Sequence, residues 1–270
     1  MKLGLIGFPL HHTVSPAMQE AALRAAGLSG SYRPLETPPE RLEERLQEVR
    51  RGYVGVNVTI PHKESVLAWL DALSPEAQAV GAVNTIQVRD GKLIGHNTDA
   101  PGFIAALEEA GIAYRGKRAL VLGAGGAARA VVYALREGGA WVRVHNRSLE
   151  RARALCRDLG AQLVAEDDLE TAVLGCDLLV NATSVGMKDP HSSPLPEGLL
   201  PRSAAVVDIV YNPLQTRLLR EAARAGLPTL GGVPMLVWQG ALAFELWTGL
   251  RPNLQVMYRA ALGVLEGSAD

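Results

Sequence analysis

Short apolar segments alternate with amphipathic helical patterns from one end of the 270-residue chain to the other. This alternation is typical of a parallel β-sheet covered by helices, because each connection between parallel strands has to cross the sheet. A chain of this length exceeds the usual size of one domain, and 48% hydrophobic residues can fill more than one core. The sequence therefore predicts an α/β protein with two domains.

The pattern divides the chain into a first domain of residues 1–100 plus 238–270 and a second domain of residues 101–237. In the first domain, apolar runs predict strands at Lys2–Gly7, Ser31–Glu36, Gly55–Val58 and Thr85–Arg89. The patterns between them predict helices at Pro16–Ala26, Pro39–Val49 and Glu64–Leu73. The dipeptide Asp90-Gly91 between TIQVR and KLIGH predicts a hairpin, and a helix is expected to begin near Asp99.

From Lys117 onward the pattern is typical of a doubly wound, Rossmann-like dinucleotide-binding sheet. Strands are predicted in RALVLG, WVRVHN, AQLVA, CDLLVNAT and AAVVDIV. Helices are predicted between them in ARAVVYALREG and LERARALCRDLG, and the segment DDLETAVLG precedes CDLLVNAT. Two amphipathic segments, MLVWQGALAFELWTG and LQVMYRAALGVLEG, follow without another strand. Because helices without a sheet of their own have to pack on an existing core, we expect them to return to the first domain.

Composition argues against several classes of partner. The 27 basic and 28 acidic residues leave a formal charge of −1, without a run of Lys or Arg that could follow a phosphate backbone, so nucleic acid is not expected. The N-terminal MKLGLIGFPLHH does not resemble a signal peptide, and no stretch has the roughly 20 apolar residues that span a bilayer. The sequence predicts a cytoplasmic protein that does not bind membranes, and it does not distinguish a monomer from a homodimer.

The cysteines and histidines do not have the spacing of metal ligands. Cys156 and Cys176 are interpreted as packed thiols. His11, His12, His145 and His191 likewise do not have metal-ligand spacing. No metal is predicted.

A glycine-rich segment, Gly123-Ala124-Gly125-Gly126-Ala127-Ala128, directly follows the strand RALVL and has the G-x-G-x-x-A form of a dinucleotide fingerprint. At a strand-to-helix turn, the missing side chains let backbone N–H groups and the helix N-terminus approach a pyrophosphate. The alternative is that these glycines serve only a tight turn. We expect residues 123–127 to contact a dinucleotide.

The end of the next strand, His145-Asn146-Arg147-Ser148, indicates which dinucleotide is preferred. An NAD site normally has Asp or Glu here to bind the ribose 2′-OH, and a carboxylate would repel a 2′-phosphate. Arg147 can instead form a bidentate pair with that phosphate, while Asn146 and Ser148 donate further hydrogen bonds. NADP is therefore predicted, although Ser148 is equally suited to cap the following helix.

Two further segments are expected to contact the cofactor. Asn181-Ala182-Thr183-Ser184 follows the strand CDLLV, at the edge of the sheet where open α/β folds bind ligands. Asx and Ser/Thr turn chemistry is the alternative explanation for these side chains. The second expected contact is Gly232, in the Gly-Gly pair after Leu230.

Four polar clusters remain at strand ends and loops: residues 13–16 (TVSP), 57–63 (NVTIPHK), 81–85 (GAVNT) and 95–99 (GHNTD). Together they supply hydroxyls, amides, one cation and one carboxylate. Such a set suits a small polyhydroxy acid better than an apolar ligand.

With these clusters, the sequence resembles the shikimate dehydrogenase family. The resemblance spans nearly the whole chain in the family's order: GVNVTIPHKE, GAVNT, GHNTDAPGF, GAGGAARA, HNRS, NATSVGM, DIVYNP and MLVWQGALAFE. It implies an NADP-linked enzyme of aromatic amino-acid biosynthesis that interconverts 3-dehydroshikimate and shikimate by hydride transfer.

The resemblance also implies roles for single residues. Lys63 and Asp99 would form the catalytic pair, and both would contact the substrate. The other residues implied in substrate binding are Thr13 and Ser15 with Tyr211 for the carboxylate, and Thr59, Asn84 and Gln239 near the ring hydroxyls. The family commonly has serine where this chain has Thr13, so that contact is the least certain.

Several questions stay open at this stage. The sequence does not say whether Lys63 transfers the proton itself or mainly polarises and orients the substrate. One alternative function is a quinate/shikimate dehydrogenase that uses NAD or NADP. Another is a non-catalytic NADP-sensing regulator that has kept the fold.

Overall fold

A computed structural model describes residues 1–10 and 13–267 of the chain. Its strands are β1 (Lys2–Gly7), β2 (Ser31–Glu36), β3 (Gly55–Val58), β4 (Ala72–Leu73), β5 (Thr85–Arg89), β6 (Lys92–His96), β7 (Arg118–Leu122), β8 (Trp141–His145), β9 (Gln162–Leu163), β10 (Leu178–Asn181), β11 (Ala205–Asp208) and β12 (Thr229–Leu230). Its α-helices are α1 (Ser15–Ala25), α2 (Leu42–Gly52), α3 (His62–Ser65), α4 (Pro75–Val80), α5 (Asp99–Glu109), α6 (Gly126–Glu137), α7 (Leu149–Leu159), α8 (Leu169–Leu174), α9 (Arg217–Arg224), α10 (Val233–Thr248) and α11 (Leu254–Gly267).

The chain forms two compact units, one from Met1–Gly102 with the segment that begins at Val237, the other from Phe103–Leu236. Each unit contains a six-stranded sheet, so the predicted two-domain α/β fold is confirmed. None of the helices in the described residues is long and apolar enough to span a bilayer.

The sheet of the first unit has the strand order β2-β1-β3-β5-β6-β4. Strand β1 is parallel to β2 and β3, whereas β5 is antiparallel to both β3 and β6. The predicted hairpin joins β5 to β6, and in it Asp90 and Gly91 adopt positive φ angles of 52° and 71°, as a two-residue turn between twisted strands requires. The sheet is therefore mixed rather than entirely parallel as the alternation had suggested.

The C-terminal helices pack in the first unit, as predicted. Helix α11 contacts α1. From α10, the Trp247 side chain is buried and donates from Nε1 to the Ile86 carbonyl oxygen over 3.0 Å. Buried Gln19 in α1 also donates to the Gly240 carbonyl oxygen of α10 over 2.8 Å. Helix α10 is thus bonded to both α1 and strand β5.

The sheet of the second unit has the order β12-β11-β10-β7-β8-β9, and every pairing in it is parallel. The chain order of the strands reverses between β7 and β10, which is the switch point of a doubly wound sheet. Buried aliphatic residues fill both central strands, since Leu120, Val121 and Leu179 are fully inaccessible. The crevice outside the ends of β7 and β10 is where such folds bind ligands.

The prediction of a helix at Glu64–Leu73 was wrong over its second half. Helix α3 ends at Ser65, a 3₁₀ helix covers Val66–Trp69, and β4 follows. Asp71 bonds to Leu93 twice, because its carboxylate accepts from the Leu93 N–H and its own N–H donates to the Leu93 oxygen. This non-local pairing with β6 overrides the local helical pattern.

Three short elements, α4, α9 and β12, were not anticipated. Both helices carry standard start signals, since the side chains of Ser74 and Thr216 accept hydrogen bonds from the backbone N–H three residues later. Pro75 also occupies the first turn of α4. The capping residues could have revealed these helices, whereas nothing in its two residues marks β12.

The two cysteines are packed thiols, as predicted. Cys156 and Cys176 are buried, and burial raises the pKa of each thiol to about 11. The reactive thiolate form is therefore disfavoured at neutral pH.

Gly55 allows the close approach of Trp247 to the sheet. A Cβ atom at Gly55 would lie 2.1 Å from Trp247 Nε1 and 2.5 Å from the Ile86 oxygen. We expect Gly55→Ala to lower the free energy of unfolding by about 1–3 kcal/mol, because overpacking displaces the indole. Gly52→Ala is the matched control, since nothing lies within 4 Å of a Cβ atom there. Urea denaturation measures both, and equal stability of the two variants would contradict this account.

Candidate active site

The polar clusters of the first unit meet at one edge of its sheet. Strands β1, β3 and β6 end at this edge and the antiparallel strand β5 begins there, with Asn57 opposite Thr85 and Thr85 opposite His96. The clusters at residues 57–63, 81–85 and 95–99 are thereby brought together, although up to about 40 positions separate them in the chain.

Lys63 and Asp99 form an ion pair at this edge, with Lys63 Nζ 2.6 Å from Asp99 Oδ2. Lys63 lies in α3, directly after the chain leaves β3, and Asp99 is the first residue of α5. The side chains are 15% and 5% exposed, so the pair is shielded but reachable from one side. The backbone N–H of Val83 donates to the Lys63 carbonyl oxygen over 2.8 Å and holds α3 against this edge.

Asn84 connects the ion pair to neighbouring elements. Its Nδ2 donates to Asp99 Oδ1 at 2.9 Å and lies 3.2 Å from Gln239 Oε1. Its Oδ1 accepts from the Thr98 N–H at 2.7 Å, which orients the carboxamide. Gly102 in α5 lets Gln239 come this near, because a Cβ atom there would lie 2.7 Å from the Gln239 backbone nitrogen.

Several buried polar residues next to this cluster had no role predicted from the sequence. Asn57, Thr85 and Thr98 are at most 5% exposed, and hydrogen bonds join them to one another and to Asn84. All three lie in the polar clusters at strand ends, so their position was visible in the sequence. Tyr32, which donates to Asn57 Oδ1 over 2.8 Å, had no such signal.

The remaining predicted substrate residues of this unit lie in three places. Gln239 belongs to the cluster around Asn84. Thr13 and Ser15 form a separate pair at the start of α1, with the Ser15 N–H 3.4 Å from Thr13 Oγ1. Half-buried Thr59 follows β3 and lies beside Gly7, where a Cβ atom would be 2.4 Å from its methyl group.

The two histidines that lie within these polar clusters, His62 and His96, are in different environments. Buried His62 has its Nε2 2.6 Å from the Thr37 carbonyl oxygen, so its ring serves the packing between α3 and the end of β2. Burial lowers the pKa of His96.

Among residues 1–10 and 13–267, no group of three or more His, Cys, Asp or Glu could hold a metal ion. His11 and His12 lie outside these ranges.

In the second unit, the glycine-rich segment forms the turn between β7 and α6. Gly123 has a φ angle of 121°, and a Cβ atom there would lie 2.9 Å from the Ala182 oxygen, so only glycine fits. At Gly125 nothing lies within 4 Å of a Cβ atom. The turn therefore packs against β10 on one side and leaves open space on the other, where the N-terminus of α6 presents its N–H groups.

The end of β8 presents a cation without a carboxylate in residues 145–148. Arg147 is exposed, Asn146 Nδ2 donates to the Ser148 oxygen over 3.0 Å, and Ser148 caps α7 by accepting from the Arg151 N–H. Ser148 therefore has the capping role that was considered as an alternative. Arg147 is accessible to an anionic group.

The loop after β10 is held by Asn181, which is fully buried. Its Nδ2 donates to Asp208 Oδ1 over 2.9 Å, and its Oδ1 accepts from Thr183 Oγ1 over 2.7 Å. The bond to Thr183 is the Asx and Ser/Thr turn chemistry given above as the alternative explanation. The Asn181 side chain therefore shapes the loop, whereas Ser184 is exposed. Burial raises the pKa of Asp208.

Gly232 and Tyr211 lie near the end of β11. A Cβ atom at Gly232 would be 2.3 Å from the Ile209 carbonyl oxygen, and its N–H donates to the Val210 oxygen over 3.2 Å. Tyr211 follows Val210 directly, and burial raises the pKa of its phenol. Gly232 thus permits close backbone packing beside Tyr211.

Three family models match the chain in sequence order. The shikimate dehydrogenase substrate binding domain matches residues 5–86, and the shikimate/quinate 5-dehydrogenase model matches residues 105–209. The shikimate 5′-dehydrogenase C-terminal domain matches residues 232–262. The matches cover most of both sheets, apart from β6 and β12, and most of the returning helices.

Individual proteins agree with these matches over the full length. The NADP(+) shikimate dehydrogenase of Thermus thermophilus is 54% identical over 267 residues, which cover 98% of this chain and 100% of that protein. A crystal structure of shikimate 5-dehydrogenase from Thermus thermophilus, in complex with NADP(H) and shikimate, superimposes with a TM-score of 0.93 at 53% identity, covering 98% of this chain and 100% of that one. Quinate dehydrogenase from Corynebacterium glutamicum in complex with NAD gives a TM-score of 0.89 at 34% identity, with 97% and 99% covered. The chain belongs to the shikimate dehydrogenase family.

Proposed function

We propose that the chain is an NADP-dependent shikimate dehydrogenase, an oxidoreductase that interconverts 3-dehydroshikimate and shikimate in aromatic amino-acid biosynthesis. The observation that carries the proposal is the shielded cluster of Lys63, Asp99, Asn84 and Gln239 at the edge of the first sheet. A cytoplasmic location and a monomeric or dimeric state stay predictions from the sequence.

The second unit fits NADP. Open space at Gly125 and the N-terminus of α6 suit a pyrophosphate, and exposed Arg147 suits a 2′-phosphate. The segments proposed to hold the nucleotide are residues 123–127, 146–148 and 181–184 and Gly232. When bound, NADPH supplies the hydride that reduces the substrate carbonyl.

Lys63 is proposed to act on the oxygen of that carbonyl. Negative charge develops on the oxygen during reduction, and a nearby cationic donor stabilises it. An ammonium group has three N–H bonds, and Asp99 accepts one of them. A second Lys63 N–H then donates to the substrate oxygen and delivers a proton from Nζ, while the Asp99 carboxylate stabilises the charged lysine.

Asn84 and Gln239 orient the reacting groups. Asp99 Oδ1 accepts from Asn84 while Oδ2 accepts from Lys63, so both carboxylate oxygens are fixed in direction. The hydroxyls of a bound ring then find acceptors on Asp99 and polar atoms on Asn84, Gln239 and Thr59.

The substrate carboxylate is assigned to hydroxyl groups. Thr13 and Ser15 lie together at the start of α1, which favours an anion. Tyr211 remains a neutral phenol at physiological pH because burial raises its pKa, so it is proposed as a further donor.

Quinate is the second candidate substrate, because the chain is also similar in fold and sequence to a quinate dehydrogenase. Nicotinamide absorbance with shikimate or quinate, each with NADP or NAD, distinguishes the candidates. We expect rapid reduction with shikimate plus NADP. Comparable rates with quinate or NAD would indicate a broader specificity, and no reaction in all four mixtures would favour a non-catalytic NADP sensor.

Lys63→Ala is expected to lower kcat about a hundredfold or more, because it removes a donor whose interaction strengthens in the transition state. The dissociation constant for NADP should change little. Lys92→Ala removes an exposed lysine of β6 and serves as the control. Steady-state kinetics and fluorescence titration measure both quantities, and unchanged kcat would remove Lys63 from the mechanism.

Arg147→Ala is expected to lower kcat/KM for NADP by about ten- to a hundredfold, since charge-assisted hydrogen bonds to the 2′-phosphate are lost. kcat/KM for NAD should stay the same. Arg153→Ala, an exposed arginine on α7, is the control. Equal losses with both nucleotides would show that Arg147 does not read the 2′-phosphate.

A further inference from the structure

A continuous set of buried hydrogen bonds joins Tyr32 in β2 to the catalytic edge. Tyr32 OH donates to Asn57 Oδ1 over 2.8 Å, and Asn57 Nδ2 donates to Thr85 Oγ1 over 3.0 Å. Thr85 Oγ1 lies 3.1 Å from Thr98 Oγ1 and 3.3 Å from Asn84 Oδ1. Asn84 completes the path with its bond to the Asp99 carboxylate.

Neighbouring groups determine the direction of the bonds that join Tyr32, Asn57 and Thr85. Asn57 Nδ2 also donates to the Asn84 backbone oxygen over 3.2 Å, and because that oxygen only accepts, Asn57 Oδ1 has to face Tyr32. Thr85 accepts from Asn57 and can donate its single hydrogen to Asn84 Oδ1, whereas either hydroxyl can be the donor between Thr85 and Thr98. The bonds from Tyr32 through Asn57 and Thr85 to Asn84 can therefore run in one direction, toward the Asp99 carboxylate.

Packing accounts for the Tyr32 ring but not for its hydroxyl. The ring lies against Trp247 with centroids 6.3 Å apart, and the whole residue is 1% exposed. A phenylalanine would fill the same space without adding a polar atom to a buried site. The hydroxyl is needed because Asn57 Oδ1 would otherwise be a buried acceptor without this donor.

We propose that the Tyr32 hydroxyl is a positioning group for catalysis, which acts through Asn57 and Thr85 to hold the Asn84 carboxamide in register with Asp99. This role rests on the proposed function, since it concerns the same site. Tyr32 lies at the far end of the bonded path, so its effect reaches the substrate only through the side chains between them.

Tyr32→Phe tests the role directly. We expect kcat/KM for shikimate to fall about tenfold, the loss that corresponds to one unsatisfied buried acceptor, while KM for NADP stays unchanged. Tyr114→Phe is the matched control, because it also removes the hydroxyl of a buried tyrosine. Tyr114 lies in the second unit, and its hydroxyl donates to Glu108 over 2.9 Å. Unchanged kcat/KM for shikimate in Tyr32→Phe, with an active wild-type enzyme, would overturn the inference.

Thr85 provides an independent pair of variants, which also serves if Tyr32→Phe does not fold. Thr85→Val keeps the shape and interrupts the path, so its loss in kcat/KM should match that of Tyr32→Phe, and Thr85→Ser should recover most of it. The double variant Tyr32→Phe/Thr85→Val should be no worse than Thr85→Val alone. Losses that multiply would show that the two hydroxyls act separately and would contradict the path.

A readout without turnover separates this inference from the proposed function. The side-chain amide resonances of Asn84 in ¹⁵N NMR spectra are expected to shift in Tyr32→Phe and to stay in place in Tyr114→Phe. An inactive wild-type enzyme would remove the proposed function, yet the Asn84 shift would still establish the path. Unshifted Asn84 resonances in Tyr32→Phe would overturn it.

Discussion

The reversal of one strand shapes the first unit. In an all-parallel sheet, the start of β5 would lie at the opposite edge from the ends of β3 and β6. Strand β5 is instead antiparallel to β3, and the hairpin at Asp90-Gly91 returns the chain as β6, so that the first residues of β5 lie between those two strand ends. Lys63, Asn84 and Asp99, which follow or precede the three strands, come within hydrogen-bonding distance for this reason.

Such a concentration of buried polar groups is tolerated only if each group has a partner. Around Asn84 the structure provides partners mainly through amides and hydroxyls rather than further charges, apart from the Lys63–Asp99 pair. Among the described residues, the buried Nε2 of neighbouring His96 is an exception without a hydrogen-bond partner. Amides and hydroxyls both donate and accept, so they can transmit an orientation from one strand to the next. The second unit uses the same device at Asn181, Asp208 and Thr216, where buried side chains join the ends of β10 and β11 to the start of α9.

Local signals explain which parts of this arrangement could be predicted from sequence. The glycine turn, the hairpin dipeptide and the apolar strands each depend on a few adjacent residues, and their positions were predicted closely. The residues gathered at the edge of the first sheet around Lys63 and Asp99 were also predicted, because polar clusters at strand ends differ clearly from their apolar surroundings. The prediction of a helix over Glu64–Leu73 was wrong in its second half because Asp71 bonds to Leu93, which is 22 positions away. The contact between Tyr32 and Asn57 spans 25 positions and depends on strand order, which no local pattern encodes.

The loop after β10 has one more consequence for recognition. Asn181 forms hydrogen bonds with Thr183 and Asp208, so the conformation of this loop is determined when the chain folds. Binding of a ligand to this loop therefore costs little conformational entropy. For the same reason, the loop has little freedom to adapt to a ligand of different shape. In the nucleotide site proposed for this loop, discrimination between nucleotides would therefore depend on rigid complementarity of the surfaces, and adjustable selectivity would be left to exposed side chains such as Arg147.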